Sequence, residues 1–201
     1  MLPMDSNLKI QPFDIKNLPL ILDTVVPLWS PPVGNDEFKR FNVEYIVRRN
    51  LFENQYNFEL VDEADIFLSS AFFARKSDFS NAQKWFAQNS ARFPDEYKAA
   101  SKMSNDFCEL MDVRTLSFMN DDDIKLSLFI SRKHGAGITL LDELCVRLGD
   151  EGWKNLYLWT DCECNWLWYK KHDFILVEQS VYEPFSSEDE DYQTYIFKKK
   201  L

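Results

Sequence analysis

Arg132, Lys133, His134, Gly135, Ala136 and Gly137 bring two cations, a histidine and two glycines into six consecutive positions. Glycine in such a run removes the Cβ, allows positive φ and lets main-chain N–H groups approach a ligand closely. Where a helix begins at that point, its first turn adds unpaired N–H donors and the positive end of the helix dipole, and both favour an anion. The chemistry these residues suit is the seating of a pyrophosphate. Four of the five glycines lie between Gly135 and Gly152, so backbone freedom is concentrated on this unit and its exit. The run is neither Gly-x-x-x-x-Gly-Lys-Ser/Thr nor Gly-x-Gly-x-x-Gly, which argues against an ATP or dinucleotide site. A second group of reactive types follows from Asp161 through Cys162, Glu163, Cys164 and Asn165 to Tyr169. A tyrosine hydroxyl, with a pKa of about 10, is protonated at neutral pH and can donate. Cys162 and Cys164 resemble half a metal site, but His134 and His172 are the only histidines and no second cysteine pair exists, so no metal is expected.

These groups need elements to hold them. Over residues 124–130 the apolar Ile124, Leu126, Leu128 and Ile130 alternate with Lys125 and Ser127, which predicts a strand. Phe129 breaks the alternation, so both faces are expected to be covered near its end. After the glycines, Ile138, Leu141, Leu144, Cys145 and Leu148 fall at helical spacing, opposite Asp142, Glu143 and Arg147. Residues 156–160 form a short, nearly continuous apolar run, as a strand buried on both faces has. Strand, helix and strand make one βαβ unit with a right-handed crossover.

Arg132 to Gly137, in this strand–loop–helix setting, resembles the Arg/Gln-x-x-Gly-x-Gly/Ala loop of the GNAT superfamily of acetyl-CoA-dependent N-acetyltransferases. Residues 160–174 are similar to the segment in which that family has an Asn opening a short helix, a Tyr after it, and a Lys-x-Gly-Phe ending. The resemblance covers residues 121–197 well and residues 8–74 by element order. It implies an α/β (α+β) mixed-sheet, GNAT-like acyltransferase fold. It implies acetyl-CoA as acyl donor and a primary amine as acceptor, whether small amine, amino acid or peptide amine, with direct attack on the thioester. Cofactor binding then falls to Phe129, Ile130, Arg132, Lys133, His134, Gly135, Ala136, Gly137, Ile138 and Asn165. Tyr169 occupies the family's position for the acid that protonates the departing thiolate. The base stays open among Glu59, Glu63 and Asp161. A non-catalytic acyl-CoA-binding module on the same scaffold is the alternative. Two departures stand out: only Ser131 separates Ile130 from Arg132, where relatives have several residues, and Asp173 replaces the glycine before Phe174.

The remaining chain supplies walls. Residues 8–13, 56–61, 66–74, 174–182 and 192–198 predict further strands. Residues 15–29 predict an amphipathic helix that Pro27 should kink or end, and residues 36–50 predict a second helix. Residues 75–118 are a helical insertion between the third and fourth strands, with Ser80 and Pro94 as helix starts and the second helix running through about residue 111, read either as a lid or as extra packing or a dimer surface. A single domain over residues 1–201 is expected from the length, with 45% hydrophobic and 15% aromatic residues enough for a full core. A net charge of −10 argues against nucleic acid. The absence of a long apolar run or a leader-like N-terminus argues against a membrane and for a reduced, cytoplasmic protein.

Overall fold

The computed structural model describes residues 8–201; residues 1–7, on which the absence of a leader was read, lie outside that range. The predicted strands form as β1 (Lys9–Pro12), β2 (Asn57–Val61), β3 (Phe67–Arg75), β4 (Asp123–Ser131), β5 (Asn155–Asp161), β6 (Ile175–Val181) and β7 (Gln193–Lys200). They make one sheet in the order β1-β2-β3-β4-β5-β7-β6. Only the central pair β4/β5 is parallel, and it is joined by the helix α5 (Ala136–Asp150). The fold is therefore the expected mixed α/β sheet.

Helix α5 packs on one face of the sheet, with Leu140, Leu141, Leu144 and Leu148 buried against Ile124, Leu126, Leu156 and Phe197. The other face is covered by three helices. Helix α1 (Leu18–Trp29) and helix α2 (Asp36–Arg49) pack on Phe72, Leu128 and Ile130. The insertion consists of α3 (Ala82–Asn89), a short 3-10 turn and α4 (Asp95–Phe118). Phe107 and Met111 of α4 bury against Tyr157 and Ile196, while Phe93, Trp85 and Tyr97 close on Phe38 and Phe41 of α2. The insertion is thus a packed wall of the molecule.

One extra residue in β4 redirects its whole side-chain pattern. Phe72 of β3 pairs with Leu128 and Phe73 with Leu126, so Ser127 is a bulge. A bulge inverts the faces served by even and odd positions beyond it. Ile124 and Leu126 point to α5, whereas Leu128 and Ile130 point to α1 and α2, and Phe129 goes to the α5 side. This explains why Phe129 broke the alternation. Lys125, a polar position in that alternation, is 2% exposed beneath α2 and α4. Its ammonium is paired with Asp112 of α4 at 2.6 Å, and that carboxylate also accepts from Trp159 Nε1 at 2.7 Å and lies 3.4 Å from the Arg49 guanidinium. A buried lysine needs such a partner, because an unpaired charge in the core is strongly unfavourable.

Three local expectations are corrected. Pro27 does not end α1, which continues two residues further to Trp29; a proline in the last turn removes only one intrahelical bond. Ser80 lies one residue before the N-cap position, which Asn81 holds, although its hydroxyl still accepts from Ala82 N–H at 3.1 Å. Helix α4 runs well past residue 111, to Phe118. Asp173 adopts φ 65°, the left-handed conformation that aspartate tolerates better than most residues.

Candidate functional site

Parallel pairing of β4 with β5 stops after three positions, at Lys125 opposite Tyr157. From Leu126 to Ser131 the β5-side edge of β4 has no strand partner, and β5 leans away to β7. The bulge at Ser127 sits at the point of divergence, and the Ser127 hydroxyl is buried with no hydrogen-bond partner. The wedge between the parting strands opens into a cleft of about 1320 Å³, floored by Leu126–Lys133 and Leu158–Asp161 and walled by α1, α2, α4 and the segment after β5.

At one end of the cleft lies the glycine turn. Arg132 N–H donates to Leu68 O at 2.9 Å, which anchors the loop to β3, and the Ser131 hydroxyl donates to Lys133 O at 2.9 Å. Gly135 is the N-cap of α5 with φ 83°. Gly137 is buried so closely that a Cβ would lie 3.0 Å from Phe129 Cζ and 3.0 Å from Ser131 Cβ. Within the described residues, no hydrogen bond uses the main-chain N–H of Lys133, His134, Gly135, Gly137 or Ile138. Five free amides at the start of a fifteen-residue helix lie beside two exposed cations, a setting whose electrostatics favour an anion. Of the ten residues predicted to hold the cofactor, nine line the cleft; Ala136 instead turns into the core, its N–H donating to Lys133 O.

Helix α6 (Trp166–Lys171) carries the tyrosine. Asn165 occupies its N-cap position, as the resemblance implied, but its side chain makes no capping bond; the exposed amide faces the cleft. Tyr169 packs its ring on Phe174 and Phe197, with centroids 5.4 and 5.8 Å away, and lines the cleft. No hydrogen bond within the described residues uses its hydroxyl. Burial, and after it Cys164 and Asp161, pushes this phenol well above the usual tyrosine range, so it stays protonated.

The three candidate bases separate. Glu59 is wholly buried in β2, held by Gln11 Nε2 and Asn17 Nδ2 at 2.8 Å each, away from the cleft. Glu63 lies exposed in the turn between β2 and β3. Asp161, at the end of β5 and 9% exposed, lines the cleft. One of its oxygens accepts from Glu163 and Cys164 N–H at 3.2 Å each.

Burial raises the Cys108 thiol to about 12 and the Cys164 thiol to about 12. Both cleft cysteines are therefore thiols at neutral pH and poor nucleophiles. The same shifts make the fold alkali-sensitive. An unfolded thiol ionises near about 8.5, so the stabilisation is intact below that pH and is lost as pH rises from there towards the folded value. The urea midpoint should fall between pH 8 and pH 10.5, and Cys108→Ala should flatten that fall; a midpoint constant with pH in both proteins would contradict the burial of these thiols. Among the described residues, no three His, Cys, Asp or Glu side chains group as metal ligands, and no helix is long and apolar enough to cross a membrane.

Sequence reasoning missed Asp112, Lys125 and the aromatic residues Trp29, Phe107, Phe185 and Tyr192 that converge on the cleft. No periodic signal could have joined positions so far apart. Neither the scan against family models nor the comparison with curated proteins gave a match. Solved structures do match. The C-terminal condensation domain of Ebony, in complex with beta-alanyl-dopamine, has a TM-score of 0.61 at 10% identity, covering 96% of this chain and 99% of that one. The Drosophila melanogaster polyamine N-acetyltransferase that forms N-acetylagmatine has a TM-score of 0.52 at 11% identity, over 97% and 100%. An agmatine N-acetyltransferase has a TM-score of 0.52 at 11% identity, over 98% and 100%. The likeness first read in residues 121–197 thus extends over nearly the whole chain as a likeness of fold: this protein has the mixed α/β fold of the GNAT acyltransferases.

Proposed function

We propose that the protein is an acetyl-CoA-dependent N-acetyltransferase that transfers an acetyl group directly to a primary amine. The observation that carries this reading is the cradle of five free amides at the start of α5, set beside the unpaired edge of β4. A pyrophosphate suits the cradle, because Gly137 lets the start of α5 pack closely on the end of β4 and Arg132 and Lys133 add charge at its mouth. Bound there, acetyl-CoA would supply a thioester carbonyl. The edge of β4 from Leu126 to Ser131 offers main-chain groups along the length of the cleft, including N–H donors for an oxygen on which charge builds. Asp161 is the candidate base lying on the cleft, and Tyr169 the donor to the departing sulfur. An acceptor arriving as its ammonium first gives one proton by way of Asp161 to solvent; as the N–C bond forms and the C–S bond breaks, the nitrogen's second proton leaves towards Asp161 and the sulfur gains one from Tyr169. The phenol is then refilled from Asp161 through solvent. With both cleft cysteines held as thiols, no acyl-cysteine stage is needed. The matched N-acetyltransferases act, by their names, on agmatine and polyamines, which supports an amine as acceptor. The proposal assigns the protein to the cytoplasm, where acetyl-CoA is available and its four free cysteines stay reduced.

The test is calorimetry with acetyl-CoA together with release of CoA thiol in the presence of an amine panel. Binding with amine-dependent thiol release is expected. Binding with no release from any amine would instead favour a non-catalytic acyl-CoA-binding module, and no binding would remove both readings.

A further inference from the structure

The two ends of the cleft carry opposite charge. Arg132, Lys133, His134 and His172 are the basic residues on its walls, and all belong to the glycine-turn end. At the other end the acidic side chains are Asp161 and Glu163, and no Lys or Arg lines the wall. The nearby cations Arg49 and Lys125 do not reach it, being committed to Asp112 and Asn105 beneath the floor. Around Asp161 the wall is aromatic. Phe107 packs against Trp159, Phe185 and Tyr192 with centroids 5.6, 5.0 and 5.8 Å away, and Trp29 closes the opposite side from α1. Leu28, 68% exposed, stands at the rim, an apolar side chain left in water beside the opening. The Asp161 carboxylate is nine-tenths buried on the cleft wall, with the Tyr192 hydroxyl and the Cys164 thiol beside it.

We infer that the acceptor is an arylalkylamine: a primary ammonium on a short chain ending in an aromatic ring and carrying no carboxylate. This rests on the proposed acetyl transfer and names its substrate class. The ammonium pairs with the Asp161 carboxylate, and the ring is received by Trp29, Phe107, Trp159, Phe185 and Tyr192, where aromatic pairs gain both buried area and favourable edge geometry. An amino acid acceptor would bring a carboxylate to an acidic, cation-free wall, where it would be desolvated without a partner. A diamine would bring its second ammonium among the rings and Leu28, the one other acid lining that end being the exposed Glu163 two residues from Asp161.

The experiment compares 2-phenylethylamine, phenylalanine and putrescine as acceptors with acetyl-CoA, and measures 2-phenylethylamine binding by calorimetry on protein saturated with CoA. The expected kcat/KM for 2-phenylethylamine exceeds that for phenylalanine by about a hundredfold or more, as rejection by an unpaired buried charge produces, and exceeds that for putrescine by about tenfold. Asp161→Asn should weaken 2-phenylethylamine binding by about tenfold or more with acetyl-CoA affinity unchanged. Phe185→Leu should weaken 2-phenylethylamine while sparing putrescine. If acetyl-CoA binds and no amine is acetylated, the transferase reading fails, and the calorimetric arm still decides this one. A preference for phenylalanine or putrescine, or no 2-phenylethylamine binding in the wild-type protein, overturns it.

Discussion

Replacing Gly137 with valine raises the Kd for acetyl-CoA by about a hundredfold or more, roughly 2.7 kcal/mol of binding free energy. A Cβ at this position would already stand 3.0 Å from both Phe129 Cζ and Ser131 Cβ, and valine adds two further carbons in the same confined corner. The first turn of α5 must then move off the end of β4, and the free amides of Gly137 and Ile138 lose their common aim. Gly135→Ala is the informative contrast. Nothing lies within 4 Å of its added Cβ, so the damage is the strain of a non-glycine residue at φ 83°, about 1–2 kcal/mol of fold stability. That variant should melt earlier yet keep measurable acetyl-CoA binding. Isothermal calorimetry on both, with urea melts as the control for folding, separates the cases. Wild-type affinity in a folded Gly137→Val protein would show that the pyrophosphate does not sit in this cradle.

The elements were legible because each carries its own periodicity. The seven strands, α5 and the order strand, glycine turn, helix could be read from neighbours in the chain. What stayed hidden depended on contacts between distant segments. Lys125 reads as a surface residue until Asp112, thirteen positions earlier on another element, is brought to 2.6 Å from it. The bulge at Ser127 leaves no mark in an alternation of Ile, Leu, Leu and Ile, since leucine is equally at home on either face; only Phe129 betrayed it. Glu59, Glu63 and Asp161 were equal as sequence. They differ because β2 lies two strands away from the split, whereas β5 ends in it. The aromatic acceptor wall draws on α1, α4, β5 and the segment between β6 and β7, and no local pattern links these. The glycine turn was found because its chemistry is local: two residues without side chains, at a helix start, next to cations.

Tyr169→Phe lowers kcat by about a hundredfold, near the lower end of what general acid catalysis contributes, and leaves acetyl-CoA affinity unchanged. The ring makes its aromatic contacts with Phe174 and Phe197 through carbon, and phenylalanine keeps them. The hydroxyl has no partner within the described residues, so removing it does not orphan a buried group. Stability should therefore hold or rise, which separates loss of chemistry from loss of packing. The size of the effect follows from the burial that raises the phenol. A tyrosine held above about 10 keeps its proton more tightly than a thiol near about 8.5 does, so full transfer to the sulfur is uphill. Its contribution is a hydrogen bond to the sulfur that strengthens as negative charge develops there, completed when the proton from the amine reaches the phenol. An acyl donor with a better leaving group needs that help less. The Tyr169→Phe deficit should shrink with an acetyl thioester of lower leaving-thiol pKa, whereas a purely structural defect would be the same for both donors. Equal turnover of acetyl-CoA by the two proteins would take Tyr169 out of the reaction and leave it as one more ring in the core.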